Sequence, residues 1–96
     1  MKTKIKIAIA DDHPLFIDGI KTVLADTPEI EIVGEASNGL EIIEVVKTTK
    51  PDLVLLDINM PELDGIDAAE IFEKQFENLV VFCHGFYKKQ GLILAF

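Results

Sequence analysis

Apolar stretches of two kinds alternate along the chain, and their alternation predicts strands and helices in turn. Continuous or two-residue-periodic apolar patterns predict strands over residues 4–10, 29–36, 52–57 and 78–84. Helical spacing of apolar residues predicts helices over residues 14–25, 40–50 and around 66–72. Connections of this length suit crossover helices, so the order β-α-β-α-β-α-β predicts an α/β fold with a parallel, doubly wound sheet.

The predicted strands differ in how apolar they are, and this indicates their places in the sheet. Residues 52–57 are the most uniformly apolar, which is typical of a central strand, whereas residues 29–36 partly alternate and belong nearer an edge. If strands 1 and 3 are neighbours, the order is the flavodoxin-like 2-1-3-4. The final stretch, residues 87–96, allows a fourth helix or a short strand, and we favour the helix. Four aromatic residues are expected in the core: Phe16, Phe72, Phe82 and Phe86.

Three acidic residues stand where predicted strands end. Asp11 and Asp12 follow strand 1, and Asp57 ends strand 3. Ligands of open parallel sheets bind beyond the carboxyl ends of the strands, so these carboxylates should converge on one concavity. Their repulsion would be relieved by a hard cation, and Mg²⁺ suits such oxygen ligands; a carboxylate beside Mg²⁺ can also attack phosphorus. Alternatively, Asp57 caps its loop and the other two acids cap helix 1.

Composition and charge narrow the class of protein further. The chain has 96 residues and a net charge of −8, so we expect one domain that phosphate backbones and anionic lipids repel. Direct binding to nucleic acid or membrane is therefore not expected. Its apolar runs are too short to span a bilayer and its start lacks a signal-peptide pattern, so we expect a cytoplasmic protein. A single cysteine, Cys83, excludes an internal disulfide.

Three motifs in order resemble the receiver domains of two-component response regulators, in particular the NarL/FixJ (LuxR-type) subgroup. They are IADDHPLFIDGI (residues 9–20), VGEASNG (33–39) and DLVLLDINMPELDG (52–65). The resemblance runs from residue 1 to about residue 79. It implies a phosphoryl group received from a partner histidine kinase, and a conformational switch that a DNA-binding transcriptional output domain responds to.

The resemblance also assigns roles to particular residues. Asp57 matches the phosphorylated aspartate, Asp12 the acid that binds Mg²⁺ directly, and Asp11 the acid that usually acts through water. Asn59 matches the position whose backbone carbonyl completes the metal site. The residues that match the loop-shaping positions are Pro61 and Gly65.

Two positions depart from the family pattern. Members carry a Thr or Ser at the end of strand 4, where this chain has Cys83 or Gly85, and a Lys after strand 5 that no residue here matches. The fifth strand and helix also have no counterpart, so we interpret residues 1–96 as one receiver domain that is truncated or divergent after about residue 80. Without a fifth strand, strand 4 is an exposed edge, which predicts self-association.

Two histidines and two alternative functions complete the expectations. His13 is expected to cap helix 1 or face solvent, and His84 to be a loop histidine, although it could approach the acids and replace the missing hydroxyl as a donor.

One alternative function is a degenerate receiver that acts as a phosphorylation-independent interaction module. A small Mg²⁺-dependent phosphohydrolase ranks last, because Asn59 cannot serve as its general acid; we therefore do not expect an enzyme.

Overall fold

The secondary structure follows the predicted order through the first 84 residues. The computed structural model describes residues 4–60 and 62–84, and the backbone of residues 86–89 and 92–95. Its strands are β1 (Ile5–Ala10), β2 (Ile30–Ala36), β3 (Leu53–Asp57), β4 (Val80–His84), β5 (Phe86–Lys89) and β6 (Leu92–Ala95). Its helices are α1 (Pro14–Leu24), α2 (Gly39–Thr49) and α3 (Gly65–Gln75). Among these described helices, none has the length and apolar character needed to cross a bilayer.

The main sheet has four parallel strands in the order β2-β1-β3-β4, which confirms the predicted topology. The chain moves in one direction from β1 to β2 and in the other direction afterwards. Because parallel crossovers are right-handed, α1 lies on one face of the sheet, and α2 and α3 lie on the other. The reversal lies between β1 and β3, where the predicted acids are.

The face covered by α2 and α3 holds most of the buried core. The cluster there comprises Ala8, Ala10, Ala36, Ile42, Val46, Val54, Leu56, Met60, Ala68 and Phe72. Both helices begin at a side-chain cap, since Asn38 accepts a hydrogen bond from the amide of Glu41 and Asp64 from that of Asp67. Helix α2 is followed by its C-cap residue Lys50, which lies in the left-handed region (φ 49°) just before Pro51.

The opposite face is covered less completely. Along its register, Ile9 pairs with Leu55 and Leu55 with Phe82. Ile9 is fully buried, Leu55 is half-buried and Phe82 is 59% exposed. Phe16 on α1 is also exposed. The expectation that Phe16 and Phe82 lie in the core was therefore wrong, because helical and strand periodicity predict a common face and not what covers it.

The final stretch differs from the expectation. Residues 86–89 and 92–95 form an antiparallel pair, β5 with β6, that is separate from the main sheet. The favoured fourth helix was wrong and the short strand was right. An apolar run of four residues is too short to offset the nucleation of a helix, whereas pairing with a neighbouring strand satisfies its backbone hydrogen bonds at once. The core expectation for Phe86 concerns a side chain outside the described residues.

Candidate functional site

Asp57 is the last residue of an inner strand and is almost fully buried, at 4% exposure. Its backbone is paired with His84 of β4, and the residue before it, Leu56, is paired with Ala10 of β1. One carboxylate oxygen, Oδ1, accepts a hydrogen bond from the backbone amide of Asn59 at 3.0 Å. Burial raises the pKa of the Asp57 carboxyl, the Asn59 hydrogen bond lowers it, and the nearby charge of Asp11 raises it further. A negatively charged carboxylate at this position therefore loses hydration that the hydrogen bond from Asn59 does not fully replace.

Asp11 comes directly after β1 and meets Asp57 because β1 and β3 are neighbours. It is 2% exposed, and its backbone amide donates to the carbonyl of Ala36, which extends the pairing with β2. Its Oδ1 accepts a hydrogen bond from the backbone amide of His13 at 2.8 Å. The side chain of Asp12 is one-third exposed and lies at the rim of the same group. The structure therefore brings together all three acids that the sequence singled out.

His13 also belongs to this group, although its place there was not predicted from the sequence. Its Nδ1 lies 2.7 Å from Asp11 Oδ1, 3.1 Å from Asp12 Oδ1 and 3.6 Å from Asp57 Oδ2. The hydrogen bond to Asp11, followed by the charges of Asp12 and Asp11, raises the pKa of His13. His13 occupies the N-cap position of α1 without a capping hydrogen bond from its side chain, and that side chain is 67% exposed, which confirms the expectation that it faces solvent. The only sequence signal was its place directly after two acids.

His84 reaches the same group from the outer strand. It ends β4, in register with Asp57, and is a strand residue and not a loop residue. Its Nε2 is buried, has no hydrogen-bond partner, and lies 3.6 Å from Asp11 Oδ2. Its ring stacks on that of Phe16, with ring centroids 4.7 Å apart and planes 28° apart. The stacking fixes the ring with Nε2 directed at the acids.

The loop after β3 connects the acids to α3. Asn59 is exposed, and its amide is the donor to Asp57 described above; a role for its carbonyl in binding metal stays a prediction. Gly65 begins α3 and packs directly on the backbone at the end of β3, where an added Cβ would lie 2.6 Å from the Cα of Ile58, the residue after the strand. No side chain larger than hydrogen fits there without movement. Pro61 lies outside the described residues.

The donor set of the group fits a hard divalent cation. Asp11, Asp12, His13 and Asp57 each place one potential ligand atom within 4.8 Å of the others. His13 can act as a ligand only with its Nδ1 unprotonated, and the three carboxylates carry the negative charge that a divalent ion would offset. Mg²⁺ prefers carboxylate oxygens together with water ligands, and the partly exposed Asp12 leaves the group accessible to solvent.

Comparison with known proteins places this geometry in a family. The family model for the response regulator receiver domain matches residues 7–92. The chain is 49% identical over 78 residues to the uncharacterized transcriptional regulatory protein YhcZ of Bacillus subtilis, covering 79% of this chain and 36% of that protein. It is 41% identical over 76 residues to the nitrate/nitrite response regulator protein NarL of Escherichia coli, covering 78% and 35%. The chain thus spans little more than a third of these relatives.

The fold comparison agrees with the sequence comparison. The signal receiver domain of NarL from Mycobacterium tuberculosis superposes with a TM-score of 0.82 and 31% identity, covering 91% of this chain and 70% of that one. Most related curated proteins are named as transcriptional regulators, and a few as protein-glutamate methylesterases. The relatives therefore share the domain but not a single output activity.

Proposed function

Because the chain belongs to the response regulator receiver domain family, we propose that it accepts a phosphoryl group on Asp57 from a histidine kinase. One observation carries the proposal: a nearly buried carboxylate at the end of an inner strand lies against a second buried carboxylate, Asp11. Two such groups are costly to keep charged in a stable core, and perturbed carboxylates in a cleft are typical of functional sites. A cation bound beside the two carboxylates would compensate their charge and allow a phosphoryl group to approach Asp57.

We propose Mg²⁺ as the cofactor, held by Asp12 directly, Asp11 mainly through water, and Asp57. The backbone carbonyl of Asn59 completes the ligand set. When bound, the ion neutralises charge on the incoming phosphoryl oxygens and aligns the group for in-line attack.

The chain's own residues supply the nucleophile and its orientation. A carboxylate oxygen of Asp57 forms the new bond to phosphorus, while the bond from phosphorus to the donor's imidazole nitrogen breaks and its electron pair stays with the imidazole. The hydrogen bond from Asn59 and the rigid β3 backbone hold the carboxylate in place, so little freedom is lost on reaction. Gly65 supports this by allowing α3 to pack directly on the β3 backbone.

We propose that the phosphorylated domain regulates a DNA-binding transcriptional output in the cytoplasm. The relatives named as transcriptional regulators support this, and the chain spans only part of their length. The net charge of −8 disfavours contact between this domain and DNA, so base recognition would belong to another part of the regulator. No enzymatic turnover is proposed for the domain itself.

Intact mass after incubation with Mg²⁺ and acetyl phosphate tests the proposal. We expect one added phosphoryl group in the folded wild-type chain and none in Asp57→Asn. Leaving out Mg²⁺ should abolish or greatly slow the modification. A folded wild-type chain with no adduct, or an adduct that persists in Asp57→Asn, would overturn the assignment of Asp57.

A second candidate function is supported by the uncovered part of the sheet. Strand β4 is an edge strand of the four-stranded sheet, and on it Val80 and Phe82 are more than half exposed. Such an edge can pair with a second copy, and a degenerate receiver could act through that contact alone. Sedimentation equilibrium of the wild type beside Phe82→Lys tests it: concentration-dependent association that the substitution abolishes supports the module, and a wild-type monomer excludes it.

A further inference from the structure

His84 has a buried nitrogen that nothing in the described structure satisfies. Nε2 is shielded from solvent and has no hydrogen-bond partner, and the carboxylate oxygen of Asp11 at 3.6 Å is beyond hydrogen-bond distance. Buried polar atoms in folded proteins are nearly always paired, so an orphan directed into a site calls for a partner that arrives with a ligand.

Register places His84 where such a ligand would be. Asp57 and His84 are paired residues on neighbouring parallel strands, and Asp11 follows β1 on the same face. The three side chains form a polar row directly beyond the apolar row Ile9, Leu55 and Phe82. A group attached to Asp57 at the mouth of the site would therefore have His84 on one side and Asp11 on the other.

We propose that His84 binds the phosphoryl group on Asp57 by donating a hydrogen bond from Nε2 to one of its terminal oxygens. The inference rests on the proposed function of Asp57 and adds a phosphoryl-binding residue to it. His84 takes no part in bond making or breaking, and a neutral imidazole suffices, since one of its two nitrogens carries a proton. With Asp11 Oδ2 nearby, the tautomer with hydrogen on Nε2 is favoured, because the alternative would direct a lone pair at a carboxylate.

The surroundings of the ring suit this role. Phe16 stacks on His84, so the donor is oriented before the phosphoryl group arrives. A donor that needs no reorganisation in a water-poor site stabilises developing negative charge better than a mobile one. Among the described residues, the side-chain nitrogens recorded within 4 Å of the acids belong to His13 and His84, and His13 is already bonded to Asp11. His84 is therefore the donor available for phosphate.

Beryllium fluoride, a phosphoryl mimic, tests the proposal in saturating Mg²⁺ by isothermal titration calorimetry. We expect His84→Ala to weaken its affinity by about tenfold or more, the effect of losing a hydrogen bond to a charged group. His84→Gln, whose amide can donate from a similar position, should recover most of that loss. Affinity for Mg²⁺ alone should change little in either variant.

The matched control is Phe82→Ala, two residues earlier on the same face of the same strand. It changes packing without removing a donor, so it should bind beryllium fluoride as the wild type does. Far-ultraviolet circular dichroism of every variant establishes that it is folded. Wild-type affinity in His84→Ala, or equal losses in His84→Ala, His84→Gln and Phe82→Ala, would overturn the role of His84.

The outcomes separate this inference from the function it rests on. A wild-type chain that takes neither acetyl phosphate nor beryllium fluoride overturns the phospho-acceptor assignment itself. A wild-type chain that takes both, beside a His84→Ala variant indistinguishable from it, overturns only His84.

Discussion

The two faces of the same sheet are protected very differently. On the face under α2 and α3, alternate residues of all four strands contribute to or pack against one buried cluster, which includes Phe72 at 0% exposure. On the face under α1, the exposed fraction of the side chains rises across the sheet from Ile9, at 0%, to Phe82, at 59%. Strand residues of similar apolar character thus contribute unequally to stability, because contribution follows the area removed from water and not the residue type.

The acids lie at the end of the less protected face. Asp11, Asp57 and His84 continue the rows of that face beyond its apolar residues. The well-packed face fixes the strands, and the opposite face can tolerate polar groups and an opening at its end. The packed core therefore holds the strands that carry the site residues, and the site itself faces a ligand at the carboxyl ends of those strands.

The sharpest test of this contrast replaces one phenylalanine on each face. Phe72→Ala removes a fully buried ring from the cluster and should lower the free energy of unfolding by about 3–5 kcal/mol. Phe82→Ala removes a mostly exposed ring and should cost less than about 1 kcal/mol. Urea denaturation of both variants measures the difference. Equal losses would mean that the β4 face is covered in solution, for instance by a second copy.

Alanine substitutions of two glycines, one in a helix on each face of the sheet, should change the stability by smaller amounts and in opposite directions. An added Cβ at Gly39 would lie 2.6 Å from the carbonyl carbon of Leu63, so Gly39→Ala should destabilise the chain by about 1–3 kcal/mol. Gly19, within α1, has open space around it, and Gly19→Ala should stabilise by about 0.5–1 kcal/mol through helix propensity. Thermal unfolding of both variants decides. Destabilisation by Gly19→Ala would show that α1 is packed more closely than described.

The smallest effect concerns Asp57 and depends on pH. Burial raises its folded pKa above the usual 3.8, so the folded state binds more protons than the unfolded state between those two values. This contribution to stability therefore falls as pH rises through that window, and at neutral pH the full penalty remains. In Mg²⁺-free buffer at pH 7, Asp57→Asn should therefore be more stable than the wild type.

The pH dependence of the stability gained in Asp57→Asn tests whether the gain comes from removing a charge. The advantage of Asp57→Asn should shrink as the pH approaches and passes below 3.8, where the wild-type carboxyl is protonated in both states. Paired denaturant titrations at several pH values measure it. A gain independent of pH would show that relief of packing, and not of charge, is responsible.

Sequence alone predicted the parts of the fold that depend on local pattern. The strand over residues 52–57 is observed as Leu53–Asp57, and the helix over residues 14–25 as Pro14–Leu24, because continuous apolar runs and helical spacing are properties of neighbouring residues. The convergence of the acids was also predictable, since parallel strands end at one edge of the sheet.

The remainder depended on contacts that sequence does not encode locally. The exposure of Phe82 follows from what covers β4, and the contact of His13 with Asp11 follows from a side-chain rotamer at a helix start. The pairing of β5 with β6 depends on two short segments finding each other. Each is a long-range or rotameric outcome that periodicity cannot specify.

The stacked pair of Phe16 and His84 has a consequence for the order of folding. It joins the first helix to the last strand of the main sheet, so it closes one of the longest loops among the described residues. Contacts between distant segments form slowly, because chain entropy must be lost before they can form. We expect β1 and β3 to bring Asp11 and Asp57 together first, and His84 to dock after them. Amide hydrogen exchange should then be faster in β4 than in β3, so the site would lose its histidine first when the domain opens locally.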